Sequence, residues 1–232
     1  MRLFLKPTNT SADRPLRLAL PKGRLTDRTL DALRAAGIPV PADLVHSRKL
    51  IHDVSAYTRG PLGVGLEILL LKNTDVPVYV EHGVAELGVA GTDVLYEAQA
   101  EVFRPYTFDF GSCDIAVAAP RGTEASTLRL RPWLRVATKY RRFARDFFAA
   151  RSMTVEIIPL SGSVELAPAL GMADAILDLV ETGKTLEENG LEIMEVVGQT
   201  HVKLIANHTI STRTRRAIER LVELLDAGRE TP

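Results

Sequence analysis

Asp174-Ala175-Ile176-Leu177-Asp178-Leu179-Val180-Glu181-Thr182-Gly183-Lys184-Thr185-Leu186 is the stretch on which the fold turns. It runs from an acidic residue through an apolar strand, Ala175 to Leu179, into a Thr-Gly-Lys-Thr turn and the start of a helix. A strand that hands glycine and hydroxyl residues to a helix N-terminus gathers backbone N–H groups and the positive end of the helix dipole at one point. That arrangement suits a phosphate monoester. Carboxylates at the end of the strand suit sugar hydroxyls beside such a phosphate. Read alone, the segment also fits a capped helix after a strand with no ligand. It is not a P-loop: Gly183-Lys184-Thr185 matches the end of Gly-x-x-x-x-Gly-Lys-Thr, but Asp178 stands where the first glycine is required.

Outward from this segment the chain alternates apolar runs with amphipathic ones, the pattern of an α/β protein whose strands are joined by crossover helices. Strands are expected at Ile115 to Ala119, Leu134 to Ala137 and Val155 to Leu160, with a helix over Tyr140 to Ala150. Upstream, Arg17 to Leu20 reads as a strand and Thr26 to Ala36 as a helix closed by Gly37. Leu50 to Ser55 and Gly63 to Leu71 read as a hairpin across Thr58-Arg59-Gly60-Pro61. A helix near Val76 to His82, a strand at Leu87 to Ala90 and a helix opening at Thr92 or Asp93 follow. Downstream, Glu192 to Val197, His201 to Asn207 and a helix over Thr214 to Ala227 leave no room for a further domain and are expected to return to the first series. The expected organisation is two lobes, residues 1–108 with 194–232 as lobe I and 109–193 as lobe II. A cleft between lobes is a favoured ligand site.

Across 232 residues, 29 Lys and Arg balance 29 Asp and Glu, and 46% of residues are hydrophobic, which excludes disorder and fibrous repeats. The neutral balance lacks the basic excess that nucleic-acid binding normally requires, so neither DNA nor RNA is an expected partner. Cys113, the single cysteine, has no internal disulfide partner and no zinc-spaced cluster around it, and its apolar surroundings read as a buried strand. Met1 to Leu5 is too short for a signal-peptide core, and the longest apolar stretch, Leu62 to Leu71, is broken by Gly and Glu67. The expectation is a cytoplasmic protein without a membrane anchor.

Further loops follow strands and precede helices. Lys22 and Arg24 flank Gly23 in Leu20-Pro21-Lys22-Gly23-Arg24, where two cations can neutralise a polyphosphate. Ser47-Arg48-Lys49-Leu50 adds positive charge before a strand. Ser161-Gly162-Ser163-Val164-Glu165 offers small residues and hydroxyls at a helix start, and Gly91-Thr92-Asp93 does the same after Leu87 to Ala90. Each loop by itself also fits a solvated turn or an ordinary cap.

Their combination resembles the short form of the ATP phosphoribosyltransferase family, the first enzymes of histidine biosynthesis. The resemblance covers Leu16 to Asn207. It rests on these loops together with Asp75 to Glu81, Leu87 to Leu95, Arg135 to Tyr140, Ser161 to Pro168 and Asp174 to Leu191. It implies two α/β lobes like those of type II periplasmic binding proteins, with the active-site cleft between them. The implied reaction transfers the 5-phosphoribosyl group of phosphoribosyl pyrophosphate to N1 of ATP, with Mg²⁺ carried mainly by the substrate phosphates and no protein metal site.

Transferred residue by residue, the resemblance sets Thr182, Gly183, Lys184, Thr185 and Leu186 around the 5-phosphate of the donor. Asp178 and Glu165 then fall near its ribose hydroxyls, with Ser161 in the same loop as Glu165. Lys22, Arg24, Arg48 and Lys49 fall where the family handles pyrophosphate and nucleotide phosphates, Arg48 across a subunit boundary, and Gly91, Thr92 and Asp93 line the nucleotide side. Adenine N1 needs no deprotonation before it attacks, so neither a general base nor a covalent nucleophile is expected. The chain ends soon after its last strand motif, which matches forms without a C-terminal regulatory domain. Such forms imply dimers of this chain within a hetero-octamer, with a histidyl-tRNA-synthetase-like subunit conferring histidine control. Lys184, in a slot that is often neutral, and the polar lead-in from Thr8 to Pro15 depart from the family pattern.

Overall fold

The computed structural model describes residues 14–41, 43–44 and 48–229; Met1 to Leu5, most of the Thr8 to Pro15 lead-in and Ser47 lie outside them. Contacts divide the chain into two compact units. One takes the chain up to Ala90, Glu101–Tyr106 and Leu204 onward; the other takes Gly91–Ala100 and Thr107–Lys203.

The first unit is built on β1 (Leu16–Pro21), α1 (Arg24–Ala35), β2 (Ile51–Asp53), α2 (Ser55–Leu62), β3 (Leu66–Leu71), α3 (Val76–Glu81), β4 (Leu87–Gly91), β5 (Phe103–Thr107), β11 (Val202–Ala206) and α9 (Thr212–Arg229). Its six-stranded sheet runs β2-β3-β1-β4-β11-β5. β1 is parallel to β3 and β4, and β2 is antiparallel to β3. β1 and β3 are buried almost throughout, as strands covered on both faces must be, and Leu18, Leu20, Leu66 and Ile68 are fully enclosed with Leu30 and Leu33 of α1. Each such leucine contributes roughly 1.5–3 kcal/mol on burial.

The second unit holds α4 (Thr92–Ala98), β6 (Cys113–Pro120), α5 (Ala125–Leu130), β7 (Leu134–Thr138), α6 (Arg141–Ala150), β8 (Val155–Pro159), α7 (Leu166–Ala169), β9 (Ala175–Val180), α8 (Lys184–Glu188) and β10 (Leu191–Thr200). Its five-stranded sheet runs β10-β6-β9-β7-β8. The period of two in the strands sorts side chains to opposite faces. Val117, Val136 and Leu177 join Ala144 and Phe148 of α6 on one, and Ala118, Ala137 and Ile176 join Val164, Ala167 and Leu186 on the other.

Several expectations are corrected. β2 and β3 do pair antiparallel, but α2 joins them, and the Thr58-Arg59-Gly60-Pro61 turn signal lies inside that helix. The Thr58 hydroxyl donates to Val54 O at 3.3 Å and accepts the Leu66 N–H at 2.9 Å, so contacts with β3 override the local turn propensity. Residues 192–200 do not return to the first sheet; β10 is bonded antiparallel to β6 along its length, and the return comes with β11. Cys113 is half-buried at the start of β6 rather than enclosed. No helix among the described residues is long and apolar enough to cross a membrane.

Candidate functional site

In the second unit, β7 is parallel to both β8 and β9, so the carboxyl ends of all three strands share one edge of the sheet. Open α/β sheets take ligands at such an edge. The edge collects Lys139 and Tyr140 after β7, Ser161 to Glu165 after β8, and Glu181 to Lys184 after β9. The antiparallel strands add to it: Asp114 of β6 lies opposite Val180, and Thr200 of β10 lies opposite Cys113. Residues separated by more than 80 positions in sequence thus meet at one edge.

Thr182 is exposed, and Gly183 takes the left-handed conformation (φ 76°) that turns the chain from β9 into α8. Thr185 is exposed and its backbone carbonyl accepts from the Asn189 amide at 2.8 Å. Leu186 differs: its side chain is buried in the core beside Val164 and Ile176, so only its backbone faces the loop. Ser161 is exposed and Glu165 half-buried. Asp178 is 8% exposed, accepts its neighbour's Leu179 N–H at 2.8 Å and pairs with the Lys139 ammonium at 3.1 Å.

Thr92 and Asp93 open α4 and are fixed by the end of β10. The Thr92 hydroxyl donates to the Thr200 hydroxyl at 3.0 Å, which itself donates to Asp93 Oδ1 at 3.0 Å and accepts the Asp93 N–H at 3.3 Å. A Cβ at Gly91 would stand 2.1 Å from Asp93 Oδ1, so any larger residue would push the carboxylate out of this hydrogen-bonded position. Tyr140 is buried beside Asp93 and is hydrogen-bonded to it. Burial, then the negative charges of Asp93 and Asp178, hold its phenol far above the usual tyrosine range, so the hydroxyl stays protonated and donates. The Lys139 ammonium lies 5.0 Å from the centre of the Tyr140 ring. Farther along α4, Glu97 accepts the Arg142 and Phe143 N–H groups at 3.0 and 2.8 Å, capping α6 and locking the two helices together.

In the first unit, Lys22, in the two-residue passage from β1 to α1, and Arg24, the first residue of α1, are both exposed. Gly23 there has φ 104° and ψ −159°, a region open essentially to glycine alone. The buried Thr26 hydroxyl donates to the Pro21 carbonyl and its N–H bonds Gly23 O at 2.9 Å, which closes the loop. Arg48 and Lys49 are exposed just before β2. Antiparallel pairing puts the start of β2 against the end of β3, so these cations share the carboxyl edge of β1 and β3 with Lys22 and Arg24.

The edge of the second unit thus offers hydroxyls, backbone N–H groups and one ion-paired carboxylate, and the edge of the first offers cations. Lys139, Tyr140 and Thr200 were not singled out as site residues by sequence reasoning. Lys139 and Tyr140 lie within a motif that carried the family resemblance, whereas Thr200 has no local signal.

The two-sheet α/β fold places the chain in a structural class shared by a histidine kinase sensor domain similar to periplasmic binding proteins (TM-score 0.54, 12% identity, 94% of this chain and 92% of that chain). An ArgBP mutant from T. maritima shares the fold likewise (TM-score 0.55, 13% identity, 92% and 90%). Within that class this chain belongs to the ATP phosphoribosyltransferase family, whose model matches residues 72–227. It is 42% identical to the ATP phosphoribosyltransferase of Anoxybacillus flavithermus, over 90% of this chain and 93% of that protein. Against that of Bordetella pertussis it is 43% identical, over 93% and 94%. The structure of the ATP phosphoribosyl transferase (HisG:HisZ) complex from Thermotoga maritima aligns with TM-score 0.74 at 30% identity, covering 91% of this chain and 99% of that one. The chain is accordingly an enzyme, a glycosyltransferase of histidine biosynthesis.

Proposed function

We propose that this enzyme transfers the 5-phosphoribosyl group of phosphoribosyl pyrophosphate to N1 of ATP and releases pyrophosphate. The observation that carries the reading is the strand edge of the second unit, where the Thr182 to Leu186 loop, Asp178 and Glu165 come from strand ends brought together by register. Thr182, Gly183, Lys184 and Thr185, with the Leu186 backbone, hold the 5-phosphate; Asp178 and Glu165 take the ribose hydroxyls, with Ser161 beside them. Lys139 holds the Asp178 carboxylate in place through their ion pair. Gly91, Thr92 and Asp93 serve the nucleotide side, Asp93 acting through its hold on Tyr140.

Lys22, Arg24, Arg48 and Lys49 meet the pyrophosphate. As the anomeric bond breaks, negative charge grows on the leaving group, and fixed cations stabilise it more in the transition state than in the ground state. Adenine N1 attacks with its own lone pair, so these residues move no proton. Alignment of two substrates supplies the rest of the acceleration. A divalent metal, Mg²⁺ in this reading, would neutralise phosphate charge when bound. Phosphate oxygens suit Mg²⁺, and in this reading the ion travels with the substrates.

We further read the chain as the short form, working in a hetero-octamer with a histidyl-tRNA-synthetase-like subunit. The relative solved as a HisG:HisZ complex, which this chain covers almost completely, supports that reading. Phosphoribosyl-ATP formation, followed by absorbance with the chain alone and then with such a subunit and histidine, tests both. Product with partner-dependent activation and histidine inhibition is expected. Folded protein that makes no product under either condition refutes the reaction, and activity indifferent to the partner refutes the short-form reading.

A further inference from the structure

Lys72 directly follows β3 and is exposed, and nothing above gives it a role. β3 lies between β2 and β1 in the sheet. Its last residue, Leu71, is level with Pro21, and the Lys22 N–H donates to Leu71 O at 2.8 Å, so Lys72 and Lys22 leave adjacent parallel strands at the same height. On the other side Ile51 is level with Leu69 and the Leu70 N–H donates to Leu50 O at 2.8 Å. Before Leu50 the chain bends away from the strand, so Arg48 and Lys49 lead into β2 at this same edge without joining the ladder. Lys72 itself remains extended (φ −68°, ψ 147°), so the alternation of the strand carries through to it.

Lys72 and Lys22 therefore stand side by side on adjacent parallel strands, about 4.8 Å apart in backbone spacing, with Arg48 and Lys49 entering β2 at the same edge. Like charges so close repel, and a multiply charged anion laid across the pair relieves that repulsion. Two adjacent cations at one strand edge suit a pyrophosphate, whose two phosphates can each meet one of them, better than a single phosphate.

Resting on the reading of this edge given above, we infer that Lys72 is a further polyphosphate-binding residue, acting beside Lys22. The shared chemistry is a pyrophosphate group, presented either by the donor or by the nucleotide triphosphate.

The test uses the full chain with its activating partner and compares Lys72→Met, Lys72→Arg and Lys22→Met with the parent. Inhibition by inorganic pyrophosphate and the KM values for phosphoribosyl pyrophosphate and for ATP are measured. Melting temperature checks that each variant folds. Lys72→Met is expected to weaken pyrophosphate inhibition about tenfold, the loss of one charge-assisted contact, and Lys72→Arg is expected to retain most of it. A rise in the donor KM alone assigns the pair to the donor, and a rise in the ATP KM alone assigns it to the nucleotide. Values within twofold of the parent for Lys72→Met, with Lys22→Met impaired, overturn the role of Lys72 and leave the edge reading standing. If Lys22→Met is equally silent, the edge reading fails, and with it this inference.

Discussion

The Lys139 ammonium stands 3.1 Å from Asp178 Oδ1, joining the residue after β7 to the penultimate pair of β9. Asp178 is 8% exposed, so its charge is only partly hydrated and depends on that partner. The pair fixes the carboxylate near the carboxyl edge of the sheet, the position the proposed ribose contact requires.

Asp178→Asn keeps the shape and one acceptor oxygen but loses the charge. The KM for phosphoribosyl pyrophosphate should rise roughly tenfold, the scale of one charged hydrogen bond, with little change in melting temperature. Steady-state kinetics with the donor varied checks this; an unchanged donor KM rules out the ribose assignment. Lys139→Met should give a smaller rise in the same constant and little in that for ATP.

The two edges differ in how the sequence reveals them. Thr182 to Leu186 and Lys22 to Arg24 are contiguous loops whose glycines, hydroxyls and charges are visible in a few residues, so both were legible. The Thr200 contact with Asp93 joins residues far apart in the chain and follows from the pairing of β10 with β6, which no local pattern specifies. Leu186 shows the opposite limit. Its position in the loop was legible, but the burial of its side chain depends on Val164 and Ile176 across the core. β5 was missed because its residues are mostly exposed and include Pro105, features of an edge strand with little apolar signal.

Thr200 satisfies three groups with one hydroxyl, so removing it leaves the buried Asp93 carboxylate and N–H short of partners. Thr200→Val should destabilise the protein by about 1–3 kcal/mol, the range for a buried polar group left unsatisfied. Thr200→Ser should recover most of that loss. Urea unfolding of the three proteins decides it, and equal stability of the valine variant would show that the network has no energetic weight.

Arg24→Ala and Arg48→Ala remove exposed cations from the edge assigned to the leaving pyrophosphate. If these guanidinium groups act on charge that develops only in the transition state, kcat should fall about 100-fold with a much smaller change in donor KM. A rise in KM with kcat intact would instead mean that they bind ground state and transition state alike.

Asp174 lies at the opposite end of β9 from the loop and has a structural role. It accepts from the Arg135 N–H at 2.9 Å, from Arg135 Nε and Nη2 at 3.2 and 3.0 Å, and from Arg131 at 2.5 Å. Burial alone would raise its pKa, but the Arg135 hydrogen bonds and the two guanidinium charges outweigh it and hold the carboxyl below the usual range. Because the folded pKa is depressed, the unfolded state binds the proton more readily. The resulting stability is present above the unfolded value, near 3.9, and is lost as pH falls through the folded one. Asp174→Asn should therefore lower stability at pH 7 by about 1–3 kcal/mol, and the gap from the parent should narrow below about pH 4. Denaturation midpoints measured from pH 7 down to the acid transition test both halves. A gap that stays constant with pH would mean that the side chain acts by packing and neutral hydrogen bonds, with no contribution from its charge.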